Sequence, residues 1–207
     1  VAMASDGTTN QYHHGDLHNA LLTAAGALLR EQGTGGVSLR EVARRAGVSH
    51  TAPYRHFSSK AALLAALAQR GFRQLEAAIM TAAERVPHGP EQQLIAAGIA
   101  YVRLAVSNPE VIRLMFGETP AATGAVEAGA AGRQVFTALQ SIMEAGIQSG
   151  VFRQREAGEL ALVAWTSMHG LAMLVTAGML PVDTTDPDAV ETLVGAVAGN
   201  VIYGISR

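Results

Sequence analysis

The sequence has no cysteine, which excludes disulfides, thiol nucleophiles and cysteine-based metal sites and suits a reducing compartment. It also lacks GxSxG, HExxH and GxxxxGK, so the hydrolase, zinc-protease and phosphate-loop chemistries those spacings mark are not expected, nor is any cofactor. No stretch alternates apolar and polar residues for long, and no internal repeat is visible, which argues against a sheet or solenoid. Charge is scarce: only 15% of the 207 residues are Asp, Glu, Lys or Arg, and the formal net charge is −2.

Hydrophobic residues make up 49% of the chain, enough for a compact, extensively buried protein. They recur at helical spacing almost throughout, so the expected fold class is all-α. The charge is unevenly divided. Residues 1–60 carry a net +2 and five of the seven histidines, whereas residues 61–207 carry −4, an asymmetry consistent with a nucleic-acid-facing N-terminal part.

That part contains SLREVARRAGVSHTAPYRHFSSK, residues 38–60. Ser38 can cap a helix, with Glu41 three residues on to complete a capping box. Leu39, Val42, Ala43 and Ala46 form its apolar stripe, and Gly47 supplies the turn. Ser49 offers a second cap before a short polar run, His50 to His56. Proline costs about 3 kcal/mol inside a helix, but Pro53 falls in the first turn, where N–H groups lack partners anyway. Helix, glycine turn and polar second helix is the helix-turn-helix pattern, whose second helix enters the major groove.

In chain order, residues 1–11 have neither a basic residue nor an apolar run, so no signal peptide is expected there and the segment reads as a disordered tail. Asp16 can cap a helix that stops at Gly33. Ser58 and Ser59 cap a long helix reaching Arg85, before VPHGP. Further helices are expected over residues 91–106, from Asn108 and Pro109 through Phe116, over 134–148 with Gly150 turning the chain, over 156–180, and from Asp186 and Pro187 to about Tyr203. Residues 121–132 are Gly-rich and carry no clear pattern.

Residues 160–180 contain no formal charge, long enough for a membrane span. Interspersed Thr166, Ser167, His169, Gly170 and Thr176, and the lack of basic anchors beyond them, favour instead a helix buried between its own domain and a partner subunit; no membrane association is expected. His14 and His18 are four apart, but Gly15 intervenes and no third ligand follows, so no metal is expected.

On YHHGDL, ALLTAAGALLREQG, SLREVARRAGVS and APYRHFSSKAALL, the chain resembles the TetR family of bacterial transcriptional regulators, over essentially its whole length. NPEVIRLMFG and AWTSMHGLA resemble a subgroup whose regulatory domain carries Trp, His and Gly, here Trp165, His169 and Gly170. The resemblance implies a three-helix DNA-binding domain over residues 12–58 and a larger helical ligand-binding and dimerisation domain over 59–207. It implies phosphate contacts at Ser38 and Arg40, base and phosphate contacts at Ser49, His50, Thr51, Pro53, Tyr54 and His56, and a phosphate grip at Lys60. His18 departs from the family, which usually has Arg there.

A regulatory pocket is expected among Tyr101, Leu104, Met115, Phe116, Phe136, Met143, Trp165, Met168, His169 and Met173. Trp165 and His169 share a helical face and pair an apolar plate with a hydrogen-bonding ring. The expected partners are double-stranded DNA carrying a palindromic operator, a second copy of the chain joined through the last two helices, and a small, largely apolar effector. Half-sites would lie about 34 Å, or a multiple, apart. The competing reading is a helical small-molecule-binding protein without DNA-binding activity.

Overall fold

The computed structural model describes residues 14–87, 89–117 and 125–206. The expected tail, residues 1–11, and the first part of the Gly-rich stretch lie outside them. Eight helices follow one another among the described residues: α1 (His14–Gly36), α2 (Leu39–Ala46), α3 (Lys60–Glu84), α4 (Gly89–Ser107), α5 (Pro109–Phe116), α6 (Ala125–Gln148), α7 (Ala157–Thr176) and α8 (Pro187–Ile205). A 3-10 turn, Pro53–Arg55, lies between α2 and α3.

Two groups of contacts share α3. At its N-terminal end, Leu63 and Leu67 pack with Leu21, Leu28 and Leu29 of α1, Val42 of α2 and the buried plug Phe57. Further along, α3 lies against α4, α5 and α6. Gly71 sits where α3 meets α5: a β-carbon there would lie 2.6 Å from Met115 Sδ and 2.9 Å from Val111 Cγ1, so a larger residue would force the helices apart. Ser59 starts α3, its hydroxyl accepting from Ala62 N at 3.1 Å, and Ser58 takes no part in that cap.

Several boundaries differ from expectation. α1 begins at His14, so Asp16 lies inside it rather than at its cap, and the helix is interrupted at Gly33 (φ 65°, ψ −171°) before a last turn. α6 starts at Ala125, not near residue 134: the small residues of this stretch continue the helix although they give little amphipathic contrast. α7 ends at Thr176, short of Leu180, because Gly178 turns left-handed (φ 68°). Asn108 precedes α5 without a side-chain cap, whereas the Asp186 carboxylate accepts from Asp188 N at 3.0 Å and opens α8.

Phe152, after the left-handed turn at Gly150, is fully buried, worth about 1.5–3 kcal/mol relative to exposure. Its backbone pairs with Ser206, and Arg153 N donates to Ile205 O at 2.8 Å, so the α6–α7 connection is tied to the end of α8.

Candidate nucleic-acid interface and regulatory site

The N-terminal face is built by local chemistry. Ser38 is extended (φ −140°, ψ 153°) and its Oγ accepts from Glu41 N at 3.2 Å, starting α2 as expected. The reciprocal half of the capping box is not made. Glu41 instead accepts from Arg44 Nε at 2.9 Å and Nη2 at 2.5 Å, and that hydrogen bond holds its carboxyl below the usual range. Arg45 makes a two-pronged contact, 2.5 Å on each arm, with Glu31 of α1 and so fastens α2 to α1. Arg40 and Arg55 are exposed and form no ion pair among the described residues.

Gly47 ends α2 in the left-handed conformation (φ 69°), and its N–H caps the carbonyls of Ala43 and Arg44. The expected second helix is reduced to the single turn Pro53–Arg55. Ser49 gives no side-chain cap: its hydroxyl lies 3.3 Å from that of Thr51, and its carbonyl accepts from Ala52 N at 3.0 Å. Such local bonding competes with helix formation, and Pro53 removes a donor. Phe57 N then bonds Pro53 O at 2.9 Å as its ring enters the core, ending the turn.

Ser38, Arg40, Ser49, His50, Thr51, Tyr54 and Lys60 are all exposed, Tyr54 by 55%. His56 is half-buried. Pro53 is buried, so it shapes the turn from inside and offers no outward surface, contrary to expectation. Lys60 Nζ donates to Thr34 O at 2.6 Å, placing its charge between the start of α3 and the end of α1. His18 lies under this face, its ring 5.8 Å from His56 and 5.0 Å from Phe57. Burial, followed by the charges of His56 and Arg73, pulls its pKa below the ordinary imidazole value.

In the second group of helices, Tyr101 Oη lies 2.7 Å from His169 Nδ1. Burial raises the phenol's pKa and lowers the imidazole's. Both are therefore neutral near pH 7, and the arrangement this favours has the hydroxyl donating to Nδ1 and Nε2 carrying the ring proton. Phe116 stacks 4.4 Å from His169 and 6.2 Å from Trp165, and Phe136 closes on Trp165 at 6.1 Å.

Of the ten expected pocket residues, Tyr101, Phe116, Phe136, Trp165 and His169 thus form one ring cluster. Met115, Met143 and Met168 are buried in the surrounding core, and Met173 is half-buried one turn beyond His169. Leu104 lines a separate cavity between α1 and α3. Phe72, on α3, was missed: its ring meets Phe116 edge-on at 5.2 Å and links the cluster to the helix that also carries Lys60. In sequence it reads only as one more apolar position in the stripe of α3.

The outer face of α7 and α8 carries several exposed apolar side chains among polar ones. Leu162, Val163 and Leu174 are 55%, 48% and 42% exposed, and Tyr203 is 85% exposed. Between the two helices runs a groove of about 590 Å³ in which Leu160, Val163, Val197 and Val201 stand beside the polar Arg153, Arg155, Glu159, Ser167 and Asn200. By length and composition α7 could cross a membrane, yet Leu160, Ala161, Ala164, Leu171, Ala172 and Val175 are buried against the rest of the protein. Among the described residues no three His, Asp or Glu side chains converge as a metal site.

A capped helix, a glycine turn and an exposed polar turn on a small helical head, joined by one long helix to a larger helical body, define a helix-turn-helix regulator. The chain belongs to the TetR family: the family model described as "Bacterial regulatory proteins, tetR family" matches residues 21–67, and "Tetracyclin repressor-like, C-terminal domain" matches residues 94–197. It is therefore a DNA-binding transcriptional regulator. The Trp-His-Gly subgroup is not distinguished by these matches.

Among solved structures, a protein of unknown function from Rhodococcus sp. RHA1 is 35% identical with a TM-score of 0.83, covering 96% of this chain and 100% of that one. The TetR family regulator PfmR from Thermus thermophilus shares the fold at 21% identity and a TM-score of 0.68, covering 90% and 99% of the two chains. FadR from Bacillus subtilis, solved in complex with stearoyl-CoA, shares it at 14% identity and a TM-score of 0.73, covering 91% and 99%. No curated protein matches the chain in sequence.

Proposed function

We propose that the chain is a ligand-responsive repressor that binds a palindromic operator as a homodimer and is released by a small effector, with residues 12–58 as the DNA-binding unit and 59–207 as the ligand-binding and dimerisation unit. The observation that carries this reading is the exposed polar turn at Ser49, His50, Thr51 and Tyr54, bordered by Arg40, Arg55 and Lys60. Side-chain donors and acceptors with cations around them suit base edges within a phosphate frame. Ser38, Arg40 and Lys60 act as phosphate contacts, His50 and Thr51 as base contacts, and His56 supports the turn from beneath. Metal and cofactor play no part, and the protein works in the cytoplasm at the nucleoid.

Dimerisation is assigned to α7 and α8. A single recognition turn offers too little surface for tight specific binding, and two copies related by a two-fold axis read two half-sites. The exposed Leu162, Val163 and Leu174 suit a four-helix interface. The effector is read from the chain's own residues, since the FadR likeness is one of fold alone. Aromatic and methionine side chains around a single Tyr101–His169 pair suit a largely apolar molecule with one hydrogen-bonding group.

Mobility-shift titration against DNA flanking the chain's own gene tests the proposal. A fragment bound with an affinity that falls steeply as salt rises is the expected result. Absence of salt-dependent binding to any such fragment would refute it.

A further inference from the structure

Away from both faces, a cavity of about 270 Å³ opens between α1, α3 and the α4–α5 corner, lined by Gly26, Arg30, Leu67, Arg70, Gln74, Leu104, Asn108 and Val111. Its polar character comes from two guanidinium groups and two side-chain amides. Arg30 and Arg70 converge over Gly26, each with a terminal nitrogen within 4 Å of the position a β-carbon would take. Neither forms an ion pair among the described residues, and Glu31, next in sequence to Arg30, is turned away onto Arg45.

Arg70 is positioned rather than free. Its Nη2 donates to Leu22 O at 2.9 Å and its Nη1 to Thr23 Oγ1 at 3.3 Å, so the side chain bridges α3 to α1. The charges facing it are those of Arg30 and Arg73; with partial burial, the first cause, they lower its pKa. Arg70 is half-buried and faces like charges, while Arg30 is exposed at the rim, so an oxyanion held between the two guanidinium groups would offset the cost of burying Arg70.

We propose that this cavity binds a small phosphate group, held by Arg30 and Arg70 with Gln74 and Asn108 donating from α3 and the α4–α5 corner. The site is distinct from the ring cluster around Trp165 and does not depend on the identity of the effector. A bound phosphate would join α1 of the N-terminal head to α3 and the α4–α5 corner. The cavity accommodates free phosphate or the phosphate of a short ester.

The test is thermal unfolding and calorimetric titration of the full chain with inorganic phosphate and, separately, glycerol 3-phosphate, at constant ionic strength set with chloride. Saturable stabilisation by either supports the site: by phosphate alone, the free ion is the ligand; only by the ester, a phosphorylated metabolite is. Arg30→Gln, an exposed position outside the head's ion pairs, is expected to weaken that binding on the order of tenfold while leaving the unliganded melting temperature near wild type. Arg70→Gln should abolish binding, and its unliganded melt separates that loss from misfolding. No saturable effect of either compound, or an equal effect on Arg30→Gln and wild type, overturns the proposal. Both readouts are independent of DNA, so failure here leaves the repressor reading standing.

Discussion

The head and the body expose opposite kinds of surface. In the head the residues turned outward are polar or cationic, and the aliphatic side chains of α1, α2 and α3 are sealed around Phe57. On α7 an apolar strip also faces outward: Leu162, Val163 and Leu174 point to solvent, beside the polar Glu159 and Thr166, while Leu160, Ala164 and Leu171 are buried. A polar exposed face is stable as it stands and selects a charged partner. An apolar one gains free energy by being covered, and the partner with a matching surface always at hand is a second copy of the same chain.

The largest effect that can break this contrast comes from placing charge on the apolar side. Leu162→Glu combined with Val163→Glu should convert a dimer into a monomer at micromolar concentration in sedimentation. Operator affinity should fall with it by roughly a hundredfold or more, since each buried unpaired carboxylate costs several kcal/mol. A variant that stays dimeric would move the interface elsewhere.

On the polar side two substitutions should separate. His50→Ala is expected to lose about 1–3 kcal/mol of discrimination between operator and mutated operator, while Lys60→Ala weakens all sequences alike and flattens the salt dependence by about one unit of slope. Competition mobility shifts at two salt concentrations distinguish them. The reverse pattern would exchange the two roles.

Gly47→Ala should destabilise the fold by about 1–2 kcal/mol, the cost of a β-carbon at φ 69°, as read by denaturant unfolding. The smallest effect concerns protons. His18 and His169 both have folded-state pKa values below 6.5, so the unfolded chain takes up protons first as pH falls. Stability is therefore fully present above about pH 6.5 and declines below it. His169→Asn should make the decline shallower in melts between pH 7.5 and 5.5.

What the amino-acid order revealed in advance was chemistry confined to neighbouring residues. Ser38, Gly47, Ser59 and Asp186 act through atoms a few positions away, so their caps and turns were legible, and the all-helical period carried the fold class. The length of the recognition segment was misjudged because Ser49 and Thr51 bond locally and Pro53 removes a donor before Phe57 ends the turn by entering the core. The start of α6 was hidden because alanine and glycine give no periodic contrast. The Arg70 bridge to Leu22 and the Phe72–Phe116 contact join residues far apart in the chain, which no local pattern encodes. The Trp165–His169 spacing was visible; that Tyr101 completes the pair was not.

Gly71 lies near the middle of α3, where that helix is pressed against α5. With 1.5 Å of rise per residue, Lys60 stands about 16 Å from this contact, and a tilt of about 5° about it would carry Lys60 roughly 1.4 Å sideways. In a two-fold dimer the displacements oppose, so the span between the two reading turns would change by up to about 3 Å, close to the rise of one base pair. A shift of less than a hydrogen-bond length on each side is thus enough to put one half-site out of step with the other.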